Sequence, residues 1–130
     1  MGIIDHIGFA VSDIERAIAF YEKALVPLGL GLEMRLGKEI TGTVEVVGFG
    51  KDGKPELWLS AGARTEPRVH VALIAESRAV VDAFHAAAIT AGGRDNGPPG
   101  LRPHYHPNYY GAFVLDPDGH NIEAVCHGAE

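Results

Sequence analysis

The sequence has one cysteine, Cys126, one tryptophan, Trp58, and no cluster of basic residues. A single cysteine cannot close an internal disulfide, so nothing asks for an oxidising compartment and the cytoplasm is the expected location. The 11 Lys and Arg are scattered among 17 Asp and Glu, and the resulting formal charge of −6 argues against nucleic acid as a partner. No apolar run approaches the roughly 18 residues that a membrane span requires, and the start Met1-Gly2-Ile3-Ile4-Asp5 lacks the basic segment of an export signal. Neither a membrane nor export is expected. With 46% hydrophobic and 22% charged residues, the chain lies outside the composition of disordered segments, and 130 residues suit a single domain.

What the sequence does have is an internal repeat. A shift of 64 places lays His6-Ile7-Gly8-Phe9-Ala10 on His70-Val71-Ala72-Leu73-Ile74, Ala19-Phe20 on Ala83-Phe84, and Phe49 on Phe113. A further two or three places bring Asp52-Gly53 onto Asp118-Gly119 and Glu56 onto Glu123. The order of a His strand, an apolar helix, a Phe strand, a D-G turn and a Glu strand thus occurs twice. Module one covers about 1–62 and module two about 66–127, within one domain spanning 1–130.

Each module opens on an alternating run, with Ile4, His6, Gly8 and Ala10 on one face and Ile7, Phe9 and Val11 on the other, which predicts a strand. Ser12-Asp13-Ile14-Glu15 has the form of a capping box, and Ile14, Ala17, Ile18, Tyr21 and Leu25 make a helical stripe that Pro27 and Gly29 end. In module two Ser77 is the expected cap, Val81, Phe84 and Ala88 the stripe, and Gly92-Gly93 the stop. Strands follow over Leu32 to Leu36, Thr43 to Phe49 and Leu57 to Ser60, and again over Tyr109 to Leu115 and Asn121 to Cys126. Gly93 to Pro107, rich in Gly and Pro, reads mostly as loop. The fold class is α+β: two tandem β-α-β-β-β modules forming a mixed sheet, helices on the outside.

Strand parity sorts the polar residues. His6, Glu56, His70 and Glu123 each lie opposite a more uniformly apolar face and share their own face with small residues or with Trp58. A strand histidine by itself is commonly a hydrogen-bonded core or rim residue. Here each module supplies one His from its first strand and one Glu from its last, so the four can meet at the axis relating the modules. Two imidazoles and two carboxylates suit Zn, Ni, Co, Mn or Fe(II), with positions left for water or substrate.

The opening Asp5-His6-Ile7-Gly8-Phe9-Ala10-Val11 and the close Phe113-Val114-Leu115-Asp116-Pro117-Asp118-Gly119-His120-Asn121-Ile122-Glu123 resemble the vicinal oxygen chelate superfamily, which includes glyoxalase I, bleomycin-resistance proteins, fosfomycin-modifying enzymes and extradiol dioxygenases. The resemblance implies strands curled round a central cleft and a homodimer. It also implies a divalent metal held by His6, Glu56, His70 and Glu123, or by His6, His70 and Glu123 alone, with Glu123 or Glu56 as catalytic base. The implied function is a glyoxalase-like metal-dependent enzyme, a lyase, isomerase, transferase or dioxygenase, acting on a small oxygen-rich substrate. The alternative is a metal-free module that sequesters a small molecule, as bleomycin-resistance proteins do. Ala10 stands where glyoxalase I carries an arginine, which argues against true glyoxalase I activity.

The segment from Arg102 to Tyr110 is bounded by prolines and holds two His and three Tyr, so it is either a loop closing over a site or surface packing. His104, His106, Tyr109 and Tyr110, with Trp58 as an apolar wall, are the candidate substrate-binding residues. His120, in the hairpin turn, is expected to be structural, and His85 and His127 are given no role.

Overall fold

The computed structural model describes residues 2–130. One order of elements runs twice along the chain. The first module has β1 (Ile7–Val11), α1 (Ile14–Ala24), β2 (Gly31–Leu36), a one-turn helix α2 (Lys38–Thr41), β3 (Val46–Lys51) and β4 (Lys54–Ala61). The second has β5 (His70–Ile74), α3 (Arg78–Thr90), β6 (Arg94–Leu101), β7 (Tyr110–Leu115) and β8 (Asn121–Cys126). The strand orders are β1-β4-β3-β2 and β5-β8-β7-β6, and in each sheet the first strand runs parallel to the last while the other pairs are antiparallel. The architecture is the expected α+β pair of modules, built as two separate open sheets. Among the described residues no helix is long and apolar enough to cross a membrane.

Parity governs the core. Phe9 and Val11, Leu57 and Leu59, and Ile122 and Ala124 are buried together with Tyr21 and Leu25 from the α1 segment and Phe84 from α3. Helix α3 packs on β6, β7, β8 and α1, so one core runs through both modules. Ser77 caps α3 as predicted, accepting from the Val80 N–H at 3.2 Å.

Three local expectations are corrected. The cap of α1 is Asp13, which accepts from the Arg16 N–H, while Ser12 donates its amide and hydroxyl to the two oxygens of Asp118 at 3.0 and 2.5 Å. A distant carboxylate makes two charge-assisted bonds there, which outweigh one local cap. Secondly, eight residues of the segment expected to be loop form β6. It is an edge strand, where Pro98 and Pro99 can sit without removing interior ladder bonds, and Gly97, at φ +151°, lies at a break in the register. Thirdly, the strand ladders move the repeat. Gly8 is opposite Trp58 and Ala72 opposite Glu123, so the counterpart of Glu123 is Trp58, and Glu56 corresponds to Asn121. Phe49 likewise matches Val114, since both face the core across from Leu57 and Ile122. The two D-G pairs are not equivalent: Asp52-Gly53 is the tip of a two-residue turn, whereas Asp118-Gly119 lies inside the longer 116–120 loop.

That loop joins the modules. The buried Asp116 carboxylate accepts from the Tyr21 hydroxyl at 2.6 Å and from the amides of Asp118 and His120 at 2.9 and 2.8 Å. His120 Nδ1 accepts from the Val69 N–H, which leaves the proton on Nε2 to be donated to Ala10 O at 3.1 Å. Its ring meets Phe9 edge-on, with centroids 4.7 Å apart. Burial, and then the charge of Asp116, hold the Tyr21 hydroxyl well above its ordinary ionisation range.

Tyr21→Phe leaves Asp116 one donor short and should cost about 1.5–3 kcal/mol in urea unfolding at neutral pH. Above pH 10 the unfolded chain releases the Tyr21 proton while the native state keeps it, so native stability falls as pH rises. In Tyr21→Phe that fall should be shallower by about 1.4 kcal/mol per pH unit. Parallel alkaline slopes would contradict the assignment.

Candidate functional site

The second module brings two of the four predicted residues into contact. β5 and β8 run side by side with His70 across from Asn121 and Ala72 across from Glu123, which places His70 and Glu123 diagonally on one face. His70 Nε2 lies 2.9 Å from Glu123 Oε1, and the Tyr109 hydroxyl donates to Glu123 Oε2. Glu123 is 1% exposed, whereas the His70 side chain is about half exposed. Gly111 makes the Tyr109 contact possible, because a Cβ there would stand 3.2 Å from both Glu123 Oε2 and the Tyr109 ring. Burial first, and the Glu123 bond and charge second, push the Tyr109 hydroxyl far up, so it stays a proton donor. Phe113 pairs directly with Glu123 across the β7–β8 ladder, and its ring centre is 6.0 Å from that of His70.

The other two residues come from the first module. His6 immediately precedes β1, Glu56 is on β4, and together with His70 they line a cavity of about 310 Å³ between the outer strands β1 and β5. His6 Nδ1 meets Asp5 Oδ1 at 2.6 Å. That bond, with Lys54 close by, holds the Asp5 carboxyl below its ordinary range. A second, more open cavity of about 610 Å³ extends from His6 along the first sheet and is walled by Trp58. The Trp58 ring lies against Gly48, where a Cβ would stand 3.1 Å from two ring atoms and 2.8 Å from Pro55 Cβ.

The four residues share one region without converging on one point. Among the described residues no three His, Cys, Asp or Glu side chains are grouped closely enough to hold an ion within the single chain. The aromatic segment divides between two sides of the sheet. Tyr109 turns to Glu123, while Tyr110, one residue on and so on the opposite face, donates to Asp82 of α3 at 2.6 Å. His106 pairs with His127, Nε2 to Nδ1 at 2.8 Å, and His104 packs beside Tyr105. Phe113 was legible in the sequence: counting outward from the turn, with 115 against 121, sets it opposite Glu123. The placement of Tyr109 had no such signal, since it depends on how the chain returns from an edge strand read as loop.

A family model described as Glyoxalase/Bleomycin resistance protein/Dioxygenase superfamily matches residues 3–124. No curated protein matches the chain. Among solved structures, a glyoxalase/bleomycin resistance protein from Albidiferax ferrireducens T118 superposes with a TM-score of 0.78 at 25% identity, covering 98% of this chain and 100% of that one. A glyoxalase I mutant from Zea mays gives 0.71 at 25% identity, covering 94% of this chain but only 46% of the maize chain. A mutant of the fosfomycin resistance protein FosX from Listeria monocytogenes, in complex with Mn(II) and 1S,2S-dihydroxypropylphosphonic acid, gives 0.68 at 17% identity, covering 96% of this chain and 90% of that one. At that identity the last likeness is one of fold.

The Tyr109–Glu123 contact has a direct readout. In Glu123→Gln the carboxylate charge is gone, and the Tyr109 hydroxyl should titrate closer to its ordinary value of 10.0. An ultraviolet difference titration should show one tyrosine ionising earlier than in the parent protein. Gly111→Ala, by crowding the same contact, should shift that tyrosine in the same direction. Superimposable curves for the three proteins would disprove the contact.

Proposed function

Because the chain belongs to the glyoxalase/bleomycin resistance protein/dioxygenase superfamily, we propose that it is a divalent-metal enzyme acting on a small, oxygen-rich substrate, with His70, Glu123 and His6 as the metal-holding set. The observation that carries the reading is the His70–Glu123 pair, an imidazole and a buried carboxylate already in contact on one sheet face. The donor chemistry fits a borderline or hard divalent ion. The surroundings fit as well. His6 has its Nδ1 engaged by Asp5, which orients the ring as a carboxylate partner does for a ligating imidazole and leaves Nε2 as the other ring nitrogen. Asn121 Oδ1, across from His70, is a buried acceptor without a donor among the described residues, a place for a substrate hydroxyl.

A bound ion would supply Lewis acidity at the substrate's paired oxygens. The chain's own groups do the rest. Tyr109 holds one oxygen of Glu123 and keeps its proton, so the carboxylate is aimed rather than free to swing. Glu56, exposed on the cavity that His6 and His70 share, is the carboxylate left to take a proton from a bound molecule. Trp58 closes the apolar side. The strand ladder gives Trp58 the place that Glu123 holds in the other module, which favours the His-His-Glu set over a four-residue set including Glu56. The three donors meet when the cleft between the modules closes or when a second copy supplies His6, and the homodimer belongs to this proposal.

Elemental analysis and Mn(II) titration of untagged protein test it. Glu123→Gln and His70→Ala should each lose metal affinity by about 100-fold or more, and Glu56→Gln should keep it. Mixing His6→Ala with Glu123→Gln protein restores strong sites only if two copies share them. Protein that refuses Mn, Ni, Zn and Fe(II) alike overturns the metal reading, leaving ligand sequestration in the cavity beside Trp58.

A further inference from the structure

The Glu123 face of the second module carries a cation that the metal reading does not use. Arg102, just beyond β6, folds back over the strand it ends: Nη1 donates to Gly100 O at 2.8 Å and Nη2 to Pro98 O at 2.7 Å. Its guanidinium carbon stands 5.4 Å from the centre of the Phe113 ring. Phe113 is the direct ladder partner of Glu123 and the aromatic neighbour of His70. Arg102 therefore sits one aromatic ring away from the His70–Glu123 pair, on the same side of the sheet.

Among the described residues Arg102, like Arg16, Arg68, Arg78 and Arg94, has no carboxylate within ion-pair distance, although, behind the His85 hydrogen bond, its charge helps to hold the Asp95 carboxyl below its ordinary range. The two carbonyls occupy two of the five guanidinium N–H groups, and three remain. Carbonyls and ring together remove the rotamer freedom that a long side chain would otherwise lose on binding, so the remaining donors are preorganised. A structural clamp alone would account for the carbonyl bonds. It would not require a permanent positive charge with free donors beside a metal-capable pair, in a chain whose net charge of −6 disfavours anions at long range.

We propose that Arg102 anchors a carboxylate of the substrate, so that the molecule bound here is an anion as well as a chelator. The inference rests on the metal-chelating reading of the site and narrows it: neutral diols and dicarbonyls are poor substrates, and their carboxylated counterparts good ones.

Catechol and protocatechuate share vicinal oxygens and differ by one carboxylate. Both are titrated calorimetrically into the Mn(II)-loaded protein, in the parent, Arg102→Gln and Arg102→Lys forms. The ratio of the two affinities cancels the difference in ring acidity when parent and variant are compared. Arg102→Gln should reduce the preference for protocatechuate by about 10- to 100-fold with catechol affinity unchanged, and Arg102→Lys should keep part of it. A residue that only clamps β6 would weaken both ligands together or neither. An unchanged ratio overturns the proposal, as does failure of the parent protein to bind protocatechuate with or without metal. If the protein takes no metal, the same pair is titrated into metal-free protein. A preference that still depends on Arg102 then sustains the anchor while the metal reading falls.

Discussion

The carboxylate of Asp116 is sealed from water, and a buried anion is tolerable only when donors surround it. Two of its three donors are amides of its own loop, and the third is the hydroxyl of Tyr21 in the other module. Satisfying this one charge gives the 116–120 loop its shape. That shape then delivers Asp118 to Ser12, just past β1, and His120 to the carbonyl of Ala10 within β1. The relative placement of the two sheets, and hence the cleft between β1 and β5 where His6, Glu56 and His70 gather, depends on this cross-module set of bonds.

The two modules share a permuted strand order and have diverged in what they put on the face away from the core. At matching ladder positions one presents Trp58 on Gly48 and the other presents Glu123 across from Phe113. Glycine makes room in both cases, under the indole in the first module and beside Tyr109 in the second. One module thus supplies an apolar wall and an opening, and the other supplies charge. A repeated fold with a non-repeated site follows from a ladder that fixes positions while leaving the chemistry at each position free.

The second module's face is held by contacts that reach past nearest neighbours. Tyr109 fixes Glu123 from one side, His70 meets it from another, and Phe113 links that pair to Arg102. Each of these groups is restrained by backbone or ring contacts of its own, which is the condition for a site that need not reorganise when a ligand arrives.

The fold was largely legible because its signals are local. Period two assigns Phe9 and Val11 to the core and His6 and Gly8 to the other face, period 3.6 marks the Tyr21 and Phe84 stripes, and the repeat doubles each signal. The sequence by itself determined the twice-run order of strands and helices, the faces on which His6, Glu56, His70 and Glu123 lie, and the Ser77 cap. Tertiary structure decided which residue meets which. Register between strands is set by turns and bulges, so the counterpart of Glu123 became Trp58 rather than Glu56. Ser12 left its helix for Asp118, and a Gly-Pro segment became a strand because it lies at an edge. Periodicity fixes a direction for each side chain, but partners are chosen by distances between segments far apart in the chain, and those exist only once both modules are packed.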